Sequence, residues 1–314
     1  MECIKTIYSI KHKNGAIRRV NVNIAATTVE NYHKLKEAGI GTYILFQETY
    51  HKESYEKLHP TGPKHNYAYH TEAMDRAMEG GIDDVGLGVL FGLELYKYEF
   101  AGLLMHAEHL EAVHGVGPHT ISVPRIKHAD DIDPSAFDNG ISDDIFAKIC
   151  ALIRISVPYT GMIISTRESK AVREKVIRLG VSQISGASRT SVGGYCEPEP
   201  EDESSEQFDV SDKRTLDEVV RWLMEMGYIP SFCTACYREE MCIRDREPQG
   251  NGNLRRIEQL GGHGDDTVYQ IRFDDVFPDV SLSAGLGGER AVGQHHAHAA
   301  VWRQVCLLYT SRCV

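Results

Sequence analysis

Between residues 17 and 232 the chain alternates short apolar runs with longer stretches patterned for helices. The apolar runs fall at 17–24, 42–46, 83–90, 119–123, 161–164, 181–185 and 228–232, each of a length that suits a buried strand. The stretches between them carry recognisable helix ends. Thr27 followed by Glu30 predicts a capping box, and Gly39 the C-terminal stop of that helix. Ser142 with Asp143 and Asp144 opens a helix that runs to about Ile155, and Pro158 stands beyond it as a breaker. Residues 168–179 and 216–226 read as further helices, stopped by Gly180 and Gly227. Leu216, Val219, Val220, Leu223 and Met224 form a stripe at helical spacing that is expected to pack into a core.

Strict strand–helix alternation predicts an α/β fold, a parallel sheet with helices outside it. Seven strands are counted where a (β/α)8 TIM-type barrel has eight. The start of the chain is helix-like, with no strand before it. The expected architecture is therefore a (β/α)8 barrel lacking its first βα unit over residues 1–238. A tail, 239–314, follows with weak periodicity and is expected to be unrelated and disordered. A doubly wound open sheet is the alternative, but no G-x-G-x-x-G follows the first apolar run.

Barrels place their chemistry at the C-terminal ends of the strands. Just past the apolar runs stand Gln47, Glu48 and Thr49, then Arg125, then Ser165 to Arg167, then Ser188, Arg189 and Thr190, and finally Cys233 and Cys236. Such a set, all on one face, is what a polar substrate pocket needs. Glu48 can serve as a base or bind an amine or ribose, or stand as a loop carboxylate. Arg125 and Arg189 can clamp carboxylates in bidentate fashion, or form salt bridges on the barrel rim. Cys233 and Cys236, spaced C-x2-C, are open to three readings: a redox pair, a zinc half-site, or an iron–sulfur half-site that needs a further cysteine.

Composition narrows the partners. The net charge of −11 argues against non-specific binding to nucleic acid or anionic membranes. No apolar run approaches a membrane span, and Met1-Glu-Cys-Ile-Lys5 carries no signal-peptide pattern, so a cytoplasmic location is expected. The eight cysteines then point to ligands, reactive thiols or core residues rather than disulfides. Cys150 lies in an apolar helical run and reads as core, while Cys3 and Cys196 carry no spacing signal. The acidic run from Glu197 to Glu206 reads as a solvated loop.

Several stretches together resemble the radical S-adenosyl-L-methionine (SAM) tyrosine lyases, in the branch that matures [FeFe] hydrogenase. They are Asn21-Val-Asn-Ile-Ala25, Phe46-Gln-Glu-Thr-Tyr-His51, Leu58-His-Pro-Thr-Gly-Pro-Lys64 and Ala73-Met-Asp-Arg-Ala77. Gly81-Ile-Asp-Asp-Val-Gly-Leu-Gly88, Gly115-Val-Gly-Pro-His-Thr-Ile-Ser-Val-Pro-Arg125, Ser188-Arg-Thr-Ser-Val-Gly-Gly-Tyr195 and Pro230-Ser-Phe-Cys-Thr-Ala-Cys-Tyr-Arg238 complete the set. The resemblance implies cleavage of the Cα–Cβ bond of L-tyrosine to p-cresol and dehydroglycine. A [4Fe–4S] cluster and SAM would generate the radical, and a second iron–sulfur cluster would help form carbon monoxide and cyanide for the hydrogenase maturation proteins. It implies Gln47, Glu48, Thr49 and Arg125 on the SAM side, Ser188, Arg189 and Thr190 on the tyrosine side, and Cys233 and Cys236 as ligands of the second cluster. The family's C-x3-C-x2-C motif is absent from these 314 residues, and Gln259 stands where a third second-cluster cysteine is expected. These residues by themselves are thus expected to be inactive.

The tail adds little to that picture. Met241-Cys-Ile-Arg-Asp-Arg246 and the stretch from Cys306 to Cys313 resemble translated sequencing-adapter sequence. His295, His296 and His298 offer metal-binding side chains. A tyrosine lyase of thiazole biosynthesis, a non-catalytic barrel-fold binding protein and a zinc protein using Cys233, Cys236 and the tail histidines are the alternative functions.

Overall fold

The computed structural model describes residues 1–12, 15–17, 19–127, 134–190, 210–231 and 303–308. The expected α/β architecture is the one observed. Helix α1 (Glu2–Ser9) and a short hairpin, β1 (Lys11–His12) with β2 (Gly15–Ala16), precede a parallel sheet. Its strands are β3 (Tyr43–Ile44), β4 (Val85–Gly88), β5 (Thr120–Ser122), β6 (Gly161–Ile164), β7 (Gln183–Ser185), β8 (Tyr228–Ser231) and β9 (Arg303–Leu308). The order across the sheet is β3-β4-β5-β6-β7-β9-β8, with every pair parallel. Outside it lie α2 (Val29–Glu37), α3 (Lys52–Leu58), α4 (Tyr67–Thr71), α5 (Ala73–Glu79), α6 (Tyr96–His114), α7 (Asp143–Ser156), α8 (Lys170–Arg178) and α9 (Leu216–Glu225). One core joins sheet and helices, from Tyr32 and Tyr43 through Leu87, Leu103, Ile121, Phe146 and Met162 to Ile184 and Leu223.

The first expected strand is present only as a short backbone contact. The amide of Val22 donates to Thr42 at 2.9 Å, Ile44 donates to Val22 at 2.9 Å, and Gly41 donates to Val20 at 2.8 Å, making a parallel bridge beside β3. The segment therefore occupies a strand position without extending over 17–24. Its pairing runs along one side only, so few ladder bonds hold it straight. A second difference lies at the far edge. Strand β9 comes from the tail, where no element was expected, and pairs with β7 from Gln183↔Cys306 to Ser185↔Leu308 and with β8 from Tyr228↔Arg303 to Ser231↔Cys306. Its Val305-Cys-Leu-Leu308 run has the short apolar character of a strand paired on both sides. The remainder of 239–314 lies outside the described residues, as does the acidic run 197–206.

Helix ends follow local chemistry closely. Ser142 accepts from the Ile145 amide, Ser169 from Val172, and Thr215 with Glu218 closes a full capping box on α9. The cap of α2 is Thr28, not Thr27, because it is the Thr28 hydroxyl that faces the Asn31 amide. Thr27 accepts instead from the Asn31 side chain at 2.8 Å. Gly39, Gly180 and Gly227 follow their helices with φ of 79°, 105° and 82°, the left-handed region where a Cβ is strained. Within the α9 stripe Val219 and Leu223 are buried, but Met224 is 59% exposed and Trp222 takes the inward position. Cys150 is fully buried, as expected of a core thiol, and burial pushes its ionisation far up.

Candidate functional site

All strands of the sheet are parallel, so their C-terminal ends share one side, and three polar sets stand there at the ends of β3, β5 and β7. The β3 end is the most constrained. Past Ile44 the ladder continues irregularly: Gln47 donates to the Gly88 carbonyl at 2.8 Å, and Leu90 donates to the Glu48 carbonyl at 2.9 Å. Between these bonds Glu48 adopts φ of 67°, a left-handed conformation unusual for a residue with a side chain. The three expected residues then diverge. Gln47 is buried and its amide donates to the Thr71 hydroxyl at 2.9 Å. Thr49 is wholly buried, and its hydroxyl bonds the Glu99 carboxylate. The carboxylate of Glu48 is about one-fifth exposed and pairs with the Lys64 ammonium at 2.6 Å.

Tyr50 rivets this loop to the helices behind it. Its amide donates to the Glu99 carboxylate at 2.8 Å, its carbonyl accepts from the Tyr67 hydroxyl at 2.8 Å, and its hydroxyl meets His106 Nδ1 at 3.0 Å. Gly102 of α6 lets the ring approach: a Cβ there would lie 2.5 Å from Tyr50 Cγ. Gly102→Ala is therefore expected to push the ring away and destabilise the fold by about 1–2 kcal/mol, since overpacking outweighs alanine's better helix propensity. Urea unfolding of the variant checks this; unchanged stability would mean that the ring yields without strain.

Burial pushes His106 down to about 4. Its folded value thus lies below the unfolded one, so the unfolded chain takes up the proton first as pH falls. The contribution of the neutral ring is intact above about pH 6.5 and declines between 6.5 and 4, by roughly 3 kcal/mol in all. Replacing His106 by Asn should flatten that part of the stability profile, measured by denaturant midpoints across the pH range. An acid limb as steep as before would contradict the assignment.

Glu99 was not singled out by sequence reasoning. It stands four, eight and eleven residues before Leu103, Ala107 and Leu110, on the same buried face of α6, and is itself fully buried. A glutamate at an apolar position of a helical stripe is the signal that marks it. Burial raises its ionisation, opposed by the bonds from Thr49 and Tyr50. Beside the loop, His70 bonds the Phe46 carbonyl through Nε2 at 2.9 Å, and its buried Nδ1 has no hydrogen-bond partner among the described residues.

At the β5 end Arg125 is where the sequence placed it, and its guanidinium is closely engaged. Nε donates to Glu168 at 2.8 Å, Nη2 bonds the other Glu168 oxygen and lies 2.8 Å from Asp143, and Nη1 donates to the Ile141 carbonyl at 3.1 Å. The plane also covers the Phe146 ring at 4.4 Å. The salt-bridge role on the barrel rim is thus the one this geometry displays. It ties the β5 end to the segment after β6 that carries Glu168.

At the β7 end Arg173, fully buried on α8, bonds the Ser185 carbonyl and the Asp212 carboxylate. Asp212 also accepts from Arg214 at 2.8 and 2.6 Å, and its amide donates to Thr166 past β6 at 3.0 Å. From this support the chain turns through Ala187, at φ of 52°, into Ser188 and Thr190, both half-buried, and Arg189, which is exposed. Cys233 and Cys236 lie outside the described residues, as do Gln259, His295, His296 and His298. Among the described residues no group of three or more His, Cys, Asp or Glu is placed to hold a metal ion, so the described residues do not by themselves supply the ligands of a [4Fe–4S] cluster. No helix of the described residues is long and apolar enough to cross a membrane.

Comparison with known proteins bears on the family and the fold. Residues 122–229 match the family model of the Biotin and Thiamin Synthesis associated domain. A 2-iminoacetate synthase from Salmonella typhimurium is 30% identical over 213 residues, 67% of this chain and 55% of that protein. The crystal structure of HydG, a maturase of the [FeFe]-hydrogenase, superposes with a TM-score of 0.71 at 62% identity, covering 76% of this chain and 51% of that one. The HydG of Carboxydothermus hydrogenoformans gives 0.67 at 48% identity, over 78% and 54%. The chain spans about half the length of these relatives. With a parallel α/β sheet and 62% identity to a solved HydG over 76% of its length, the chain belongs to the HydG-type radical SAM proteins.

Proposed function

We propose that this chain carries the substrate-holding part of a tyrosine lyase. The activity of the whole protein would be cleavage of the Cα–Cβ bond of L-tyrosine to p-cresol and dehydroglycine, leading to carbon monoxide and cyanide for [FeFe]-hydrogenase assembly. The observation that carries the reading is the 62% identity to a hydrogenase maturase, twice the 30% to a 2-iminoacetate synthase. Both solved relatives at 62% and 48% identity are hydrogenase maturases, which favours the hydrogenase branch.

Under this reading Glu48 is the group that meets SAM. It is a partly exposed carboxylate at a strand end, with an ammonium and the unmet Nδ1 of His70 close by. SAM, when bound, would supply a 5′-deoxyadenosyl radical, released together with methionine on one-electron reduction by an iron–sulfur cluster, to take a hydrogen atom from the tyrosine amine. Gln47 and Thr49 act behind it as supports, since both side chains are buried and bonded to protein groups. Arg125 braces the β5 end. Ser188, Arg189 and Thr190 receive the tyrosine carboxylate, with the guanidinium of Arg189 as the charged partner. Cys233 and Cys236 are proposed ligands of a second iron–sulfur cluster, and the barrel portion is proposed to end near Arg238. No step is assigned to the radical cluster, for which this chain offers no C-x3-C-x2-C motif. Residues 1–314 alone are accordingly expected to release no p-cresol.

Equilibrium dialysis with labelled L-tyrosine tests the substrate side. The chain is expected to bind tyrosine saturably, and Arg189→Ala to weaken binding by roughly 10- to 100-fold through loss of a charge-assisted contact. Binding unaffected by Arg189→Ala would remove the tyrosine carboxylate from this loop.

A further inference from the structure

We infer that Glu99 is a positioning residue that holds Glu48 in its left-handed conformation. The inference deepens the reading of Glu48 as the SAM-side carboxylate and rests on it for its functional meaning. Its structural basis is separate. A non-glycine residue at positive φ relaxes unless its neighbours are fixed on both sides. On the N-terminal side Gln47 is fixed by the β4 ladder, through its amide to the Gly88 carbonyl. On the C-terminal side the Thr49 amide donates to the Gln47 carbonyl at 3.0 Å, closing a tight turn around Glu48. The next two donors, the Thr49 hydroxyl and the Tyr50 amide, both end on the Glu99 carboxylate and hold that turn in place.

All three of these groups are buried, so each donor would lose its only strong acceptor if the carboxylate were absent. The bonds from Thr49 to the Gln47 carbonyl and from Leu90 to the Glu48 carbonyl are then the main restraints left on the turn, and Glu48 is expected to return to negative φ. Its carboxylate would turn away from Lys64, which it meets at 2.6 Å. Glu99 stands on α6, a helix of 19 residues, so the anchor itself is rigid. The function of Glu99 is thus to hold a backbone angle in a residue it does not touch.

Two substitutions separate hydrogen bonding from bulk. Glu99→Met keeps the length and volume of the side chain and removes both acceptors. Glu99→Gln keeps one acceptor for the Tyr50 amide, and its NH2 can donate to the Thr49 oxygen, so it is expected to rescue. The one-bond Cα–Hα coupling of Glu48, measured by NMR, reports the sign of φ. It should show positive φ in the wild type and in Glu99→Gln, and negative φ in Glu99→Met. Positive φ retained in Glu99→Met overturns the inference. If Glu99→Met does not fold, Thr49→Val removes one donor with Glu99 in place; it should move the coupling partway, and an unmoved coupling overturns the inference equally.

Calorimetry with S-adenosylhomocysteine supplies the functional arm. Glu48→Ala and Glu99→Met should each weaken binding by roughly tenfold or more, and Glu99→Gln by no more than about threefold. Weakening in Glu48→Ala but not in Glu99→Met sinks the positioning role and leaves the SAM site standing. A wild-type chain that takes up no S-adenosylhomocysteine, or a Glu48→Ala variant that binds it as well as wild type, sinks the SAM site. The coupling measurement still decides what Glu99 does.

Discussion

Replacing Arg125 by Met is expected to destabilise the described fold by about 3–5 kcal/mol, more than any other single change considered. The reason lies in what is left behind. Glu168 is buried and meets Arg125 through both oxygens, while its other basic neighbour, Lys127, is 3.8 Å away and partly exposed. Removing the guanidinium strands a carboxylate in a region of low dielectric, and the Ile141 carbonyl loses its donor as well. For a domain of this size the loss corresponds to a fall in melting temperature of roughly 10 °C. Replacing both partners, Arg125→Met with Glu168→Met, should recover most of it, because two apolar groups of similar volume leave no unpaired charge. Thermal melts of the three variants provide the check. A double variant as unstable as the single one would mean that Arg125 acts through Asp143 or its packing on Phe146 instead.

Arg173→Met is the second large effect, expected at about 2–3 kcal/mol. It is smaller than the first because Asp212 keeps two bonds from Arg214. What is lost is the tie between Asp212 and the Ser185 carbonyl, at the point where the chain leaves β7 for Ser188, Arg189 and Thr190. Tyrosine affinity should therefore fall roughly tenfold along with stability, since a displaced strand end misplaces the groups beyond it. Arg178→Met, on the exposed side of the same helix, serves as the control. Denaturant unfolding and tyrosine dialysis on the same samples distinguish the two effects. Lost stability with unchanged affinity would confine Arg173 to the core.

Much of this fold was readable from local chemistry. The apolar runs located β3 to β8 because each is short, and those of β4 to β7 are buried on both faces. Ser142 and the glycines 39, 180 and 227 declared helix ends because capping depends on residues only a few positions apart. The strand-end positions of Glu48, Arg125 and Ser188 followed from the same pattern. What the sequence did not disclose depends on distant partners. Arg125 and Glu168 are 43 positions apart, and Arg173 and Asp212 are 39 apart. Nothing local told that Thr49 turns inward to Glu99, 50 positions on, while its neighbour Glu48 turns outward. The Thr27 and Thr28 pair shows the limit even for caps: adjacent threonines both suit the position, and only the backbone path selects one. Strand β9 was missed because its apolar run stands in a stretch with no flanking periodicity, and its pairing partners β7 and β8 are far away in the chain.

The central claim is that one side of the sheet holds the adenosyl ligand at the β3 end and tyrosine at the β7 end. A crystal structure of the chain grown with S-adenosylhomocysteine and L-tyrosine tests it most directly. The account predicts the adenosyl ligand against Glu48 and the tyrosine carboxylate against Arg189, both beyond the C-terminal ends of the strands. Ligands bound elsewhere, or both strand ends empty at saturating concentrations, would contradict it.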